Sequence, residues 1–348
     1  MPGVFDAKYF NAEVFQKYYD SLENQYLNTL INSRAIRERQ DLARVLPDQV
    51  GGNYLVQPIS GNIGGAAVNY DGATNITADT LQTYMHGRIV TGRAKGWTEK
   101  DFTFDLTGKN FMNLIAGQVH EYWDHIDQLT ILKILEGVFS MASTGGAAFV
   151  AAHTLDITAA TNSEGKTGIG DATTLNTAMQ KACGDRKSRF SLAIMHSVVA
   201  TGYENLKLLT YAKQNDANGL ERDVALGTIN GRVVLIDDEC PVDTSGTDPV
   251  YTTYLFGDGA IEYTNCGVKV PSEVDRDPKT NGGEDTLYTR QRKCFAPYGI
   301  TFTNASIASK SPTDTELATA ANWDLVKTSA GAYIPHKLIP IARIKSLG

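Results

Sequence analysis

The stretch Ala193-Ile-Met-His-Ser197, taken with Gly227-Thr-Ile-Asn-Gly-Arg-Val-Val-Leu-Ile-Asp-Asp-Glu-Cys-Pro241, decides how this chain is read. The apolar run 191–195 reads as a strand, and Ser197 is placed to cap a helix over 198–209. Asn230-Gly231 signals a type I′ hairpin, because both central residues of that turn need positive φ. Strand, helix and hairpin follow one another with none of the spacing that catalysis requires. A long chain without a working site reads as a building block.

The surrounding composition agrees. With 348 residues, 42% hydrophobic and 20% charged, the chain can bury a sizeable core in about two or three modest domains. A net charge of −7 leaves no global positive field for nucleic acid or acidic membranes. No window approaches the roughly 20 apolar residues of a membrane helix. Met1-Pro-Gly-Val-Phe-Asp lacks both the basic and the apolar segment of a secretion signal, so a soluble chain made in a cytoplasm is expected. The cysteines at 183, 240, 266 and 294 form no C-x-x-C clamp, which predicts reduced, buried thiols and no metal.

Along the chain, Phe10, Val14, Tyr18, Leu22, Tyr26 and Leu30 recur every fourth residue, predicting an amphipathic arm over 10–46 that Pro47 ends. Residues 51–104 are dense in glycine, with short β-prone runs at 54–56, 67–70 and 88–91 and a turn signal at Asp71-Gly72. A ribbon of that length with so little apolar content has no core of its own and is expected to project onto another subunit. Phe111, Leu114, Ile115, Val119, Tyr122, Ile126, Leu129 and Leu132 form one stripe, predicting a long helix over 107–140 with Thr107 as N-cap. Beyond it come a helix opened by Asp171 or Thr173 and closed by Gly184, and a strand at 251–256. A long alternating run starts at Glu284, Ser311-Pro-Thr-Asp314 opens a short helix with Ser311 as N-cap, and an extended tail is broken by Pro335 and Pro340.

Four constellations invite a chemical reading. His120-Glu121 and His125 match a zinc-protease helix only loosely: the histidines are five apart, which points the rings roughly 140° from each other. Glu121 and His125, four apart, are the expected surface pair. Gly165-Lys166-Thr167 lacks the earlier glycine and the preceding strand of a phosphate loop. Asp275, Asp277, Asn281, Glu284 and Asp285 cluster around a turn whose spacing does not fit a calcium loop. His196 could serve Ser197 or Cys240 as a base, but nothing in the sequence orients it. No cofactor, metal or catalytic residue is assigned.

The motifs at 193–197 and 227–241, with Tyr254-Leu-Phe-Gly-Asp-Gly-Ala-Ile-Glu262 and Ser311-Pro-Thr-Asp-Thr-Glu-Leu-Ala-Thr-Ala-Ala-Asn-Trp323, resemble those of major capsid proteins of tailed bacteriophages, in order over nearly the whole chain. The resemblance implies an α+β chain with the Hong Kong 97-type capsid fold. Its parts would be an N-arm (1–50), an E-loop (51–105), a P-domain spine helix (106–141), a possible small insertion (142–170), an A-domain (171–270) and P-domain strands with the C-terminal segment (271–348). It further implies self-assembly into hexamers and pentamers of an icosahedral shell around double-stranded DNA, held without sequence-specific binding. Separate scaffolding and portal proteins, and decoration proteins, would be the partners, the shell lying in the virion after synthesis in the bacterial host cytoplasm. Arg88, Arg93 and Lys95 on the E-loop, and Arg290, Arg292 and Lys293 on the P-domain run, are the expected intersubunit contacts. Two alternatives stand beside this: an encapsulin-like nanocompartment shell, and a soluble hydrolase using His196.

Overall fold

A computed structural model of the chain describes residues 33–39, 42, 53–61, 63, 65–76, 78, 81–100, 112–162, 164–215 and 221–348, with side chains described at all of these except 112–117, 211–215 and 221–226. Most of the expected N-arm, and the expected start of the long helix at Thr107, lie outside these residues.

The chain runs β1 (Ile36–Glu38), β2 (Tyr54–Ser60), β3 (Thr83–Ile89), β4 (Thr91–Lys100), α1 (Met112–Val138), α2 (Thr144–His153) and β5 (Thr154–Asp156). It continues with α3 (Thr174–Cys183), β6 (Phe190–Met195), α4 (Ser197–Asn205), β7 (Thr210–Asn215), β8 (Glu221–Ile229), β9 (Arg232–Ile236), β10 (Val242–Asp243) and β11 (Val250–Gly257). The last part holds β12 (Ile261–Asn265), β13 (Ser272–Asp277), β14 (Glu284–Pro297), β15 (Ile300–Phe302), α5 (Asp314–Ala318), β16 (Trp323–Leu325), β17 (Lys327–Thr328) and β18 (Ile341–Ser346).

Two sheets organise the molecule. The first is built on the 14-residue β14, which pairs antiparallel with β12, β13 and β4, while β1 joins β12 in parallel. Helix α1, 27 residues and about 40 Å long, lies against it. The indole of Trp123 donates to Thr289 Oγ1 at 3.0 Å and Gln291 Nε2 to Asp127 Oδ1 at 3.0 Å, with the Lys293 ammonium on the other Asp127 oxygen. Helix residues four apart thus meet alternate residues of β14, where the helical and strand periods match. Burial pushes the Asp127 carboxyl up, and Lys293 opposes that.

The second sheet has the order β5-β18-β11-β6-β9-β8-β7, with β10 on β11. Strands β6 and β9 run parallel, which needs the crossover that α4 supplies. Helices α3 and α4 cover one face through Leu175, Met179, Val199 and Tyr203, and the other face joins the main core around Phe139, Phe149 and Tyr254. Asn230 (φ 51) and Gly231 (φ 74) make the expected type I′ turn between β8 and β9.

Several expectations change. The ribbon 51–105 does not project as a whole. β4 lies along β14 from Thr91 to Lys100, and β3 is held between β2 and β17, so that Tyr84, His86, Arg88 and Ile89 are buried. The stretch 61–82 has no helix or strand among its described residues, 67–70 included. The segment 142–170 is no appendage: Phe149 of α2 is fully buried and β5 pairs β18. β12 already belongs to the first sheet, and the tail strand β18 sits inside the second, so neither sheet follows the 270/271 boundary. The α4 cap is His196, whose Nδ1 accepts from Val198 N, with Ser197 as the first helical residue. Thr313, not Ser311, caps α5 in a reciprocal capping box with Glu316.

Candidate functional site

The six basic residues expected at subunit contacts are spread over the base of the ribbon and β14, and five of them meet partners inside the chain. Arg88 is 1% exposed; it donates to Gln57 Oε1 at 2.6 Å and pairs with Glu262. The other Glu262 oxygen takes Arg39 Nη1 at 2.6 Å. One carboxylate of β12 thereby holds two guanidiniums, one from the ribbon and one from the leading segment. Arg93 reaches Asp314 at 2.6 Å and the Pro312 carbonyl at 2.9 Å, fixing β4 to α5. Arg290 pairs with Glu273 at 3.1 Å, Arg292 donates to Asn53 Oδ1 at 2.8 Å, and Lys293 engages Asp127. Lys95 is exposed on β4. Arg88, buried and neutralised, has no charge to offer a neighbour; Arg93, Lys95, Arg290 and Arg292 keep exposure.

The feature that stands open is apolar. Among the described residues the exposed large apolar side chains number ten, and six belong to the ribbon: Val56, Ile63, Tyr70, Ile76, Leu81 and Met85. Ile63, Tyr70 and Ile76 are 87%, 92% and 80% exposed, on a loop that carries no core of its own. Scattered single residues of this kind are ordinary, whereas a run concentrated on one projecting segment marks a contact surface. Sequence reasoning found the ribbon through its glycine density but assigned its contacts to charged residues.

The constellations with a chemical appearance are structural where described. His196 spends its Nδ1 lone pair on the α4 cap, and Asp238 Oδ1 accepts from Ser197 N at 3.1 Å, so no base–nucleophile pair forms. Cys240 is buried, its thiol pushed up by burial and then by Asp237. All four cysteines are buried and unbridged; burial raises Cys183 to about 11 and Cys294 to about 12. The helical pair that forms is His120 with Asp124, 3.5 Å apart, instead of Glu121 with His125. Asp277 accepts from Lys279 N and Thr280 Oγ1, Asn281 donates to Glu284, and Asp285 pairs with Arg276, which ties up the acidic turn locally. Gly165-Lys166-Thr167 closes an exposed turn around Asn162. Among the described residues no three ligating side chains are grouped for a metal.

Comparison with known proteins bears on this surface. A family model described as Gp13-like, Major capsid protein 13-like, matches residues 133–332. The major capsid protein of Bacillus phage SPP1 is 27% identical over 328 residues, spanning 94% of this chain and 93% of the relative. The capsid of Ralstonia phage GP4 is similar in structure, with a TM-score of 0.56 at 11% identity, covering 90% of this chain and 87% of that one. The Cyanophage Pam1 capsid asymmetric unit gives a TM-score of 0.53 at 14% identity, with 90% and 91% covered. At these identities the likeness speaks for the fold, which is the Hong Kong 97-type expected from the sequence. A long helix laid along one sheet, a second α/β unit and an open apolar ribbon belong together with the family match over more than half of the chain: the chain is a member of the Gp13-like major capsid protein family.

Proposed function

We propose that copies of this chain assemble as hexamers and pentamers into a closed icosahedral shell that encloses double-stranded phage DNA in the virion. The observation that carries this reading is the ribbon 61–82, whose large apolar side chains face water in the single chain. Covering them on a neighbour removes that exposure at about 25 cal/mol for each Å² of apolar area. The arm and ribbon together are expected to bury roughly 2,000 Å² or more per contact, as obligate interfaces do. Arg93, Lys95, Arg290 and Arg292 are proposed as polar contacts at the rim of that interface. The chain acts as a wall component without catalysis, made in the host cytoplasm and working with separate scaffolding, portal and decoration proteins. The family match and the phage relative favour a phage shell over a nanocompartment.

The test is to replace 62–81 by a short Gly-Ser turn, leaving β2 and β3 in place. The trimmed chain should keep its circular dichroism spectrum and yield no closed particles by electron microscopy. Normal shells from it would refute the reading. Removing all of 52–100 is a poorer test, because β3 and β4 are part of the subunit's own sheets.

A further inference from the structure

The second sheet is electrically two-ended. At the end where β6 starts and β11 finishes, the turn after α3 places Arg186 and Lys187 in solvent beside Lys181 and Arg189. The segment His336–Leu338 packs against it: Arg189 Nη1 donates to the Leu338 carbonyl at 3.3 Å, and Lys337 Nζ lies by Gly184. Lys181 Nζ donates to the Thr154 carbonyl at 2.7 Å. Five cations gather here against Asp185 and Asp258, and among the described residues none of the five has a carboxylate within 4.0 Å.

At the opposite end, β6 and β9 finish and the chain reads Asp237-Asp-Glu-Cys-Pro-Val-Asp243-Thr-Ser-Gly-Thr-Asp248, with no lysine or arginine. Asp238, Glu239, Asp243 and Asp248 are exposed, and Asp237, 5% exposed, has a buried Oδ2 without a partner. Hydrogen bonds from Ser197 and Ser245 hold the Asp238 and Asp243 carboxyls below the usual range. The His196 ring lies 3.7 Å from Asp238, and Lys345, near Asp243, is the positive group here. The six residues of β6 separate the two ends by about 20 Å.

Like charges gathered on one surface repel and cost stability unless a partner supplies the opposite sign. We propose that the partner is a second copy of this chain, the basic end around Arg186, Lys187 and Lys337 docking against the acidic end around Asp238, Asp243 and Asp248 of its neighbour. Such a contact uses two different patches and is head-to-tail, the class of interface whose repetition closes rings. The inference rests on the shell reading and deepens it by naming which faces of the α/β unit meet around a ring. Nucleic acid is a weaker fit to the basic end, because a phosphate partner gives the acidic end no role.

Charge reversal tests it. The basic-end variant Arg186→Glu/Lys187→Glu/Lys337→Glu reverses exposed groups and should keep its melting temperature. The acidic-end variant Asp238→Lys/Asp243→Lys/Asp248→Lys also loses the Asp238 hydrogen bond to Ser197 N and should melt slightly lower while staying folded. Each alone should lower particle yield at least tenfold, measured by sedimentation and electron microscopy. The chain carrying all six reversals should restore particles. A basic-end variant that assembles like wild type overturns the inference, as does failure of the six-fold reversal to restore assembly. Normal particles that hold less DNA also overturn it, by giving the basic end to nucleic acid. Absence of particles from the wild-type chain would instead bring down the shell reading, a result distinct from loss in the variants alone.

Discussion

Glu262 and its two guanidiniums show what single residues settle here. Arg88 lies 174 positions from its carboxylate partner, so its sequence context on a glycine-rich ribbon gave no sign of burial. Removing one member of a buried pair strands the other charge and costs about 3–5 kcal/mol. Arg88→Met, which leaves Glu262 to Arg39 alone, should therefore lower the thermal midpoint by about 4–7 degrees, whereas Arg290→Met, which loses an exposed pair with Glu273, should change it by about a degree or less, roughly as surface pairs do. Equal effects in differential scanning fluorimetry would contradict the placement of Arg88.

Two buried histidines make a second residue-scale prediction. Burial, and then the nearby Arg88, holds His86 at about 4; burial, with His336 adding to it, holds His153 at about 4. His153 Nδ1 donates to the Ile341 carbonyl at 2.6 Å and so fixes the neutral ring against β18. Both folded values lie below the roughly 6.5 of a free imidazole, so the unfolded chain takes up protons first as pH falls. Their contribution is complete above pH 6.5 and is lost between 6.5 and 4, by up to about 3 kcal/mol for each ring. The stability gap between wild type and His86→Met should narrow over that interval; a constant gap in denaturant melts would contradict it.

Among the elements, α1 shows best how packing depends on one small residue. A Cβ at Gly137 would stand 2.2 Å from the Leu317 carbonyl and 2.5 Å from the Trp323 indole nitrogen, which donates to that same carbonyl at 2.6 Å. Gly137→Ala, which in an exposed helix would stabilise by about 1 kcal/mol, should here destabilise by about 2 kcal/mol or more. A gain in stability would show that α5 does not press on α1. The capping box of α5 is a milder test: Thr313→Ala should cost about 1 kcal/mol in a chemical denaturation curve.

The elements also mark where sequence reading stops. The stripe from Val119 to Leu132 and the Asn230-Gly231 turn could be read because both signals are local. The pairing of β4 with β14 could not, since Thr91-Gly-Arg-Ala-Lys-Gly-Trp-Thr-Glu-Lys100 shows no apolar alternation and owes its strand to a partner nearly 200 residues away. Insertion of β18 between β5 and β11 escaped for the same reason. The candidate contact surface was half legible: glycine density located the ribbon, but exposure of Ile63, Tyr70 and Ile76 is a property of the folded chain that no local signal carries.

At the scale of the whole molecule, the described residues form a well-packed body with an apolar segment, 61–82, left exposed, and a charged domain with unlike ends. Both are properties of a part made to meet copies of itself. The most direct measurement is cryo-electron microscopy of the purified wild-type chain. Closed particles of uniform diameter, with Ile63, Tyr70 and Ile76 buried against a neighbouring subunit, are the predicted result. A stable monomer or small oligomer that leaves those side chains in water would contradict it.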